Sequence, residues 1–213
     1  MIPRNRREIR TDILQENMEK IRGQVPAGVK VLAVVKADGY GHGAAETSRA
    51  ALAGGADMLA VAAVGEGIVL RQAGITAPIL VLGAVLDIDA ADGVAHGLTQ
   101  TVCTPEMVRI CETAAAAQKK TAEVHLKIDT GMGRIGVRDA EERDAVLGEI
   151  AKCPHVKLTG VFTHLSDADG NEDGMAYTEE QFHKFRRPKY GFPPEYHPPF
   201  FDIPPYAFCS AAP

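Results

Sequence analysis

Lys36 lies at the carboxyl end of a hydrophobic run and is followed by three glycines at alternate positions. The run Val31–Val35 is typical of a strand that is buried on both faces of a parallel sheet. Gly39, Gly41 and Gly43 allow the backbone to turn sharply and to approach a ligand closely. A lysine at the end of a buried strand is partly desolvated, and its amine is therefore a candidate Schiff-base nucleophile. A solvated lysine at a strand end is the alternative that position alone leaves open.

Two further segments place polar residues next to apolar runs. His125–Gly136 alternates polar and apolar residues and then carries Asp129 and Arg134 among closely spaced glycines. Gly160–Leu165 carries His164 at the end of an apolar run. A lone histidine in this position is more often a core residue than a functional one, so spacing alone assigns it no role.

Taken together, the three segments resemble the signature motifs of the alanine racemases, fold-type III enzymes that use pyridoxal 5'-phosphate. Val34–Gly43 resembles the cofactor-lysine motif, His125–Gly136 resembles a second signature, and Gly160–Leu165 matches in order and spacing. The resemblance covers most of residues 1–186. It implies a cytoplasmic enzyme that interconverts L-alanine and D-alanine for peptidoglycan synthesis, with serine or another small amino acid as an alternative substrate.

The resemblance also implies roles for individual residues. Lys36 would hold the cofactor as an aldimine and move a proton on one face of the substrate α-carbon. Tyr40 would contact the cofactor phosphate, with ordinary aromatic packing over the turn as the alternative, and His164 would lie against the pyridine ring. Arg134 would approach the phenolic oxygen of the cofactor and bind the substrate carboxylate, which suits a planar guanidinium that is always charged.

Three other residues have supporting roles in this interpretation. Lys127, which is carbamylated in many family members, would hold Arg134 in place, and an ion pair between unmodified Lys127 and Asp129 is the alternative. Leu82 would line the wall of the cofactor site, although any core leucine has the same pattern. Ser210, in a faint echo of the end of the family's seventh strand, would contact the cofactor.

The composition argues against several function classes. The chain has 28 acidic and 23 basic residues, and its only basic cluster lies within residues 4–7, so nucleic acid is not an expected partner. No apolar run approaches the roughly 20 residues of a membrane span. The four cysteines include no C-x-x-C pair and the histidines lack ligand spacing, so we expect free thiols in a reducing compartment and no metal site.

Helical and strand patterns alternate from Thr11 to Phe185, which predicts an α/β fold with a parallel sheet. A closed (β/α)8 barrel of the TIM type has eight strands. Only six are evident here, so we expect a barrel that is incomplete at its C-terminal end. The predicted strands are Val31–Val35, Met58–Val64, Ile79–Leu82, Leu98–Cys103, Glu123–Ile128 and Val156–Phe162. Capping patterns are present at Asp12 with Gln15, Thr104 with Pro105, Asp139 with Glu142, and Thr178 with Gln181.

The character of the chain changes after Arg186. Residues 187–213 contain eight of the thirteen prolines, which predicts a divergent or frame-shifted terminus in place of a central strand or helix. We therefore divide the chain into a cofactor-binding barrel domain, residues 1–186, and an atypical terminus, residues 187–213. The family's C-terminal β-domain, which supplies a second base across a homodimer interface, is expected to be absent. We accordingly expect little or no racemase activity from this chain alone, and the homodimer is doubtful for it.

Two other interpretations stay open at this stage. A pyridoxal phosphate homeostasis protein carries the cofactor on the same type of barrel without racemase activity, and its single domain is closer to this chain in length. A barrel fragment without any ligand would also retain the three motifs. The segment from Lys127 to Arg134 favours the racemase, because homeostasis proteins carry a different sequence there.

Overall fold

The computed structural model describes residues 8–170 and 172–186, which form a parallel sheet with helices packed against it. Each strand pairs in parallel with the next one along the chain, in the order β1-β2-β3-β4-β5-β6. The strands are β1 (Leu32–Val34), β2 (Met58–Val61), β3 (Ile79–Ala84), β4 (Thr99–Val102), β5 (Ala122–Ile128) and β6 (Val156–Thr163). The predicted α/β class and the presence of six strands are confirmed.

Helical segments connect the strands in the alternation that a βα barrel requires. They are α1 (Thr11–Gln24), α2 (Lys36–Tyr40), α3 (Ala44–Ala53), α4 (Val64–Gln72), α5 (Asp87–Ala95), α6 (Pro105–Gln118), α7 (Ala140–Ile150) and α8 (Glu172–Arg186). Across the described residues, none of these helices has both the length and the apolar character of a membrane span.

The sheet is curved, so that its first and last strands approach each other across the inner face. Met58, Ala60 and Leu80 form an apolar cluster on the face that points away from the helices. Phe162 packs against this cluster although it belongs to β6, which is not a neighbour of β2 or β3 in the sheet. Leu82 packs against the same cluster and so lies on the inner wall. The contact of Phe162 with residues of β2 and β3 is the geometry of a partial barrel.

Two further clusters fill the space between the sheet and the outer helices. One is built on β1–β3 with α3 and α4, where Leu59, Leu70 and Ile79 are fully buried. The other is built on β4–β6 with α6 and α7, where Leu126 and Val146 are fully buried. The strands therefore carry apolar residues on both faces, as expected for a parallel sheet that is covered on both sides.

Two of the predicted helix caps are confirmed. Thr104 is the N-cap of α6 and its Oγ1 accepts a hydrogen bond from the Met107 N–H at 3.3 Å. Asp139 is the N-cap of α7 and its carboxylate accepts from the Glu142 N–H at 2.9 Å. Each side-chain oxygen satisfies an amide that has no partner inside the helix.

The other two predicted caps were wrong. The first helix begins at Thr11, so its N-cap is Arg10, and the Asp12 carboxylate binds the Arg10 guanidinium instead of a helix amide. Thr178 and Gln181 lie inside α8, which begins at Glu172. Their side chains have the spacing of a capping box, but tertiary contacts described below engage them.

The second predicted strand was also too long. It ends at Val61, and Val64 already belongs to α4. Apolar periodicity could not separate the two elements, because Val64 is buried against the helix side of the sheet just as the strand residues are.

Arg71 joins two loops, one before β3 and one before β4. Its guanidinium donates hydrogen bonds to four backbone carbonyl oxygens, at distances of 2.7 to 3.1 Å. The acceptors are the carbonyls of Ile75, Ala77, His96 and Gly97. Burial lowers the pKa of Arg71 below its ordinary value. These four carbonyls belong to the loops that directly precede β3 and β4, so Arg71 holds the starting points of both strands.

Replacement of Arg71 by lysine should destabilise the fold. An ammonium group cannot reach four carbonyls that are arranged around a planar fork, so several would lose their partner. We expect the free energy of unfolding to fall by roughly 2–4 kcal/mol, measured by urea denaturation. Arg109→Lys is the control, because Arg109 is exposed and pairs with Glu149, and it should change stability by less than about 0.5 kcal/mol. Equal midpoints for the two variants would contradict the role of Arg71.

Candidate active site

The segment that follows β1 has an unusual backbone conformation. The φ angles of residues 37–40 are 53°, 54°, 62° and 53°, all in the left-handed region. Only one of these four residues is glycine, and each of the others costs roughly 1–2 kcal/mol in this conformation. Such strain persists only where surrounding contacts maintain it, and it is concentrated at functional sites. We refer to residues 36–40 as the lysine turn.

Local contacts close the lysine turn. The Gly39 N–H donates to the Val35 carbonyl at 2.9 Å, and the Asp38 carboxylate accepts from the Ala44 N–H at 2.8 Å where α3 begins. A Cβ on Gly39 would lie 2.9 Å from Oγ1 of Thr47, so no larger residue fits there without displacement. The turn is thereby packed closely against α3.

Lys36 and Tyr40 face each other across the lysine turn. The Nζ atom of Lys36 lies 6.0 Å from the centroid of the Tyr40 ring, within the range of a cation–π contact. Partial burial raises the pKa of Tyr40, so its hydroxyl remains a hydrogen-bond donor at neutral pH. Tyr40 is also 40% exposed, which leaves the phenol accessible to a ligand.

The loop after β5 is folded around the carboxylate of Asp129. This carboxylate accepts hydrogen bonds from the backbone N–H groups of Gly131, Gly133 and Arg134, at 2.9 to 3.0 Å. Burial alone would raise the pKa of Asp129, but the three amide donors and Lys127 together lower it. The loop is thereby turned back, and the charge of Arg134 acts on Lys127 and His164.

Lys127 is buried on the inner face of β5, with 4% of its surface exposed. Its Nζ atom lies 5.6 Å from the centroid of the Phe162 ring. Burial lowers the pKa of Lys127, and the positive charges of Arg134 and Lys36 lower it further, while Asp129 opposes the change. The Asp129 carboxylate, which the alternative interpretation pairs with Lys127, accepts hydrogen bonds from three backbone amides.

His164 follows β6 and belongs to the same neighbourhood. Partial burial lowers its pKa, and the charges of Arg134, Lys127 and Lys36 each lower it further. Four basic groups from the carboxyl ends of β1, β5 and β6 therefore act on one another. We call Lys36, Lys127, Arg134 and His164 the basic cluster.

Gln181 is a residue of this site that the sequence did not reveal. It is fully buried on α8, and its amide nitrogen donates to the hydroxyl of Thr130 at 3.2 Å and to the carbonyl of His164 at 3.3 Å. Its amide oxygen accepts from the Ser166 N–H at 2.9 Å. One side chain thus joins the loops that follow β5 and β6. The only signal in the sequence was the spacing from Thr178, which also fitted a helix cap.

Two neighbouring side chains of α8 make similar contacts. The Thr178 hydroxyl donates to the Asp167 carbonyl at 3.0 Å, and the Tyr177 hydroxyl donates to the Gly131 carbonyl at 3.0 Å. Helix α8 therefore holds both site loops through polar contacts, in addition to the apolar packing of Phe185 against the core.

The structure thus brings most of the expected site residues to one end of the sheet. The lysine turn, the basic cluster and the inner wall that includes Leu82 all lie at or next to the carboxyl ends of the strands. A cavity of about 470 Å³ opens beside Arg134, between the start of α6 and the loop after β5. Ser210 lies outside the described residues. Within the described ranges, no group of three or more histidine, cysteine, aspartate or glutamate side chains could hold a metal ion.

His125 lies on the inner face of β5, two residues before Lys127. Its ring is close to Gly160, where a Cβ would lie 2.5 Å from Nε2, and 6.4 Å from the ring of Phe162. Burial lowers the pKa of His125 to about 4. The unfolded chain therefore binds a proton at His125 more readily than the folded chain does.

The stability of the fold should consequently fall as the pH falls from about 6.5 to 4. The contribution of His125 is complete above its unfolded pKa and is lost as the pH approaches the folded value. Between pH 7 and pH 5 we expect a loss of about 2 kcal/mol in the free energy of unfolding, measured by urea denaturation. A His125→Gln variant should lose less over this range, whereas a decrease as steep as that of the unsubstituted chain would assign the effect to other groups.

Comparison with known proteins assigns the chain to a family. Residues 9–201 match the family described as "Alanine racemase, N-terminal domain". Alanine racemase 2 of Oceanobacillus iheyensis is 45% identical over 183 residues, which cover 84% of this chain and 45% of that protein. Alanine racemase 2 of Bacillus subtilis is 43% identical over 182 residues, with the same two coverages.

Solved structures agree with the sequence relatives. The alanine racemase of Bacillus anthracis with bound L-Ala-P superimposes with a TM-score of 0.77 at 36% identity, covering 82% of this chain and 45% of that one. A histidine racemase of Leuconostoc mesenteroides superimposes with a TM-score of 0.78 at 26% identity, covering 86% and 48%. This chain spans about half the length of the relatives it matches. It belongs to the alanine racemase family of pyridoxal phosphate-dependent isomerases and corresponds to the N-terminal, TIM-barrel part of that family.

Proposed function

We propose that this chain forms the pyridoxal phosphate site of a racemase that interconverts L-alanine and D-alanine. The observation that carries the proposal is the basic cluster, which gathers three basic side chains and a histidine from the carboxyl ends of β1, β5 and β6. The proposed positions follow the motif resemblance, namely Lys36 at the cofactor aldehyde, Tyr40 at its phosphate, Arg134 at its phenolic oxygen and His164 at its ring.

The chemistry of the cluster fits this group. Mutual repulsion contributes to the lowered pKa values of Lys127 and His164, and an anionic ligand would relieve it. A phosphate ester, a phenolic oxygen and a substrate carboxylate are all anionic partners. The half-buried amine of Lys36, at the end of β1, is the group that an aldehyde requires.

When bound, pyridoxal phosphate supplies an electron-withdrawing ring that makes the α-hydrogen of an amino acid acidic. Lys36 then serves as the base that takes or returns the proton on its own face of the α-carbon. Arg134 orients the substrate by holding its carboxylate, and Lys127 supports Arg134 from the inner face of β5. Inversion also needs an acid–base group on the opposite face, for which we propose the tyrosine of a C-terminal β-domain in a homodimer, as the resemblance implies.

Alanine is the proposed substrate because alanine racemases are the relatives of higher identity. In the structural comparison, the alanine racemase of Bacillus anthracis is 36% identical to this chain, against 26% for the histidine racemase. The histidine racemase is named for a substrate with a much larger side chain, although its structure superimposes on this chain.

The proposed setting is the cytoplasm, where the product would be D-alanine for peptidoglycan. The homeostasis-type carrier is disfavoured, because the relatives that match this chain at 39–45% identity are alanine racemases.

The proposal predicts covalent capture of the cofactor by Lys36. Purified chain titrated with pyridoxal phosphate and reduced with borohydride should carry one label per chain, and peptide mapping should place it on Lys36. The Lys36→Ala variant should lose the label, whereas Lys157→Ala should retain it, because Lys157 is exposed on β6. Label scattered over several lysines, or retained in Lys36→Ala, would contradict the proposed site.

The proposal also predicts a specific need for the guanidinium of Arg134. Arg134→Lys keeps the positive charge but removes the planar pair of donors, so the dissociation constant for pyridoxal phosphate should rise roughly tenfold. The measurement is an absorbance titration of the protein-bound cofactor. Arg109→Lys is the control, because Arg109 lies on α6, outside the basic cluster, and pairs with Glu149. This variant should bind pyridoxal phosphate as tightly as the unsubstituted chain. Unchanged affinity in Arg134→Lys would remove Arg134 from the cofactor site.

A further inference from the structure

Glu66 reaches from α4 to the lysine turn, which lies 29 residues earlier in the sequence. Its Oε1 atom accepts a hydrogen bond from the Ala37 N–H at 2.8 Å. Ala37 directly follows Lys36 and is the first of the four residues with left-handed backbone. This hydrogen bond therefore acts on the peptide that carries Lys36 into the turn.

The other oxygen of the same carboxylate binds the end of a neighbouring strand. Oε2 accepts from the Ala62 N–H at 2.6 Å and from the Ala63 N–H at 3.4 Å. The regular ladder between the two strands ends with the Val35 N–H, which donates to the Ala60 carbonyl at 2.8 Å. Beyond that point Glu66 replaces the missing ladder contacts and joins the two chain segments.

A capping role in α4 does not account for this geometry. Ala63 occupies the N-cap and has no side-chain oxygen, so a glutamate in the first turn can bind back to the Ala63 N–H. Oε2 alone satisfies that requirement. The bond from Oε1 to the Ala37 N–H crosses to another element and is not needed to begin the helix.

Contacts within the lysine turn do not fix its position relative to β2. The bonds from the Gly39 N–H to Val35 and from the Gly41 N–H to Ala37 are local and connect the turn to itself and to the end of β1. Asp38 joins the turn to α3. Glu66 adds the hydrogen bonds that join the turn to the end of β2, the strand adjacent to β1.

We propose that Glu66 is a positioning residue that holds the lysine turn in its left-handed conformation and thereby presents Lys36 to the cofactor. The consequence for Lys36 rests on the proposed function, whereas the effect on the turn does not. Three amide donors converge on two oxygens, so the site requires a group that only accepts hydrogen bonds. A glutamine would direct an NH2 donor at one of these amides.

The first test is amide hydrogen exchange of the chain without cofactor. In Glu66→Gln, peptides that cover residues 36–43 should exchange at least tenfold faster, and peptides from β4 to β6 should be unchanged. Glu106→Gln is the matched control, since Glu106 is an exposed first-turn glutamate of α6. Equal exchange of the lysine turn in both variants would overturn the inference.

A second variant, Glu66→Asp, keeps the test decisive if Glu66→Gln fails to fold. Glu66→Asp keeps the charge in the first turn of α4, but it is one methylene shorter and cannot span both Ala37 and Ala62. It should fold and still show faster exchange in residues 36–43. Protection equal to that of the unsubstituted chain would overturn the inference.

The final measurement is the rate at which pyridoxal phosphate and borohydride label Lys36. The rate should fall at least fivefold in Glu66→Asp and Glu66→Gln and stay unchanged in Glu106→Gln. An unchanged rate in variants whose turn exchanges faster would overturn the positioning role. If the unsubstituted chain takes no label at Lys36, the proposed function fails instead, and the exchange experiment still decides whether Glu66 holds the turn.

Discussion

The parallel direction of all six strands is the constraint on which the site depends. Because each strand pairs with the next in the same direction, their carboxyl ends meet at one end of the curved sheet. Lys36 after β1, Lys127 near the end of β5 and His164 after β6 are far apart in sequence, yet they act on one another electrostatically. Phe162 reinforces this approach, since it links the last strand to the inner cluster of the first three.

Concentrated positive charge is the physical cost of bringing these groups together. Burial and neighbouring cations lower the pKa values of Lys127 and His164, which means that their charged forms are less favourable here than in water. Asp129 offsets part of this effect at Lys127, but its oxygens accept hydrogen bonds from three backbone amides. The arrangement is suited to an anionic ligand with several separate acceptors, as a phosphorylated cofactor together with an amino-acid carboxylate would provide.

Three polar side chains that contact backbone groups keep the loops of this site in place. Asp129 folds the loop that carries Arg134, Gln181 joins the loops after β5 and β6, and Glu66 joins the lysine turn to β2. Each binds groups from two or more positions in the chain, which gives precise placement without apolar packing. The strained turn at residues 37–40 shows why such contacts are needed, since an isolated peptide would not keep that conformation.

The sequence by itself determined the α/β class, the six strands, two helix caps and the three motifs, because these follow from local periodicity and residue type. It could not determine where α1 and α8 begin, since the patterns at Asp12 and Thr178 fit a cap as well as they fit the contacts that engage these side chains, with Arg10 and with the Asp167 carbonyl. Nor could it show the left-handed turn, which contains three residues other than glycine, or the roles of Gln181 and Glu66. Those features depend on contacts between residues 15 to 51 positions apart, and only the folded chain brings such residues together.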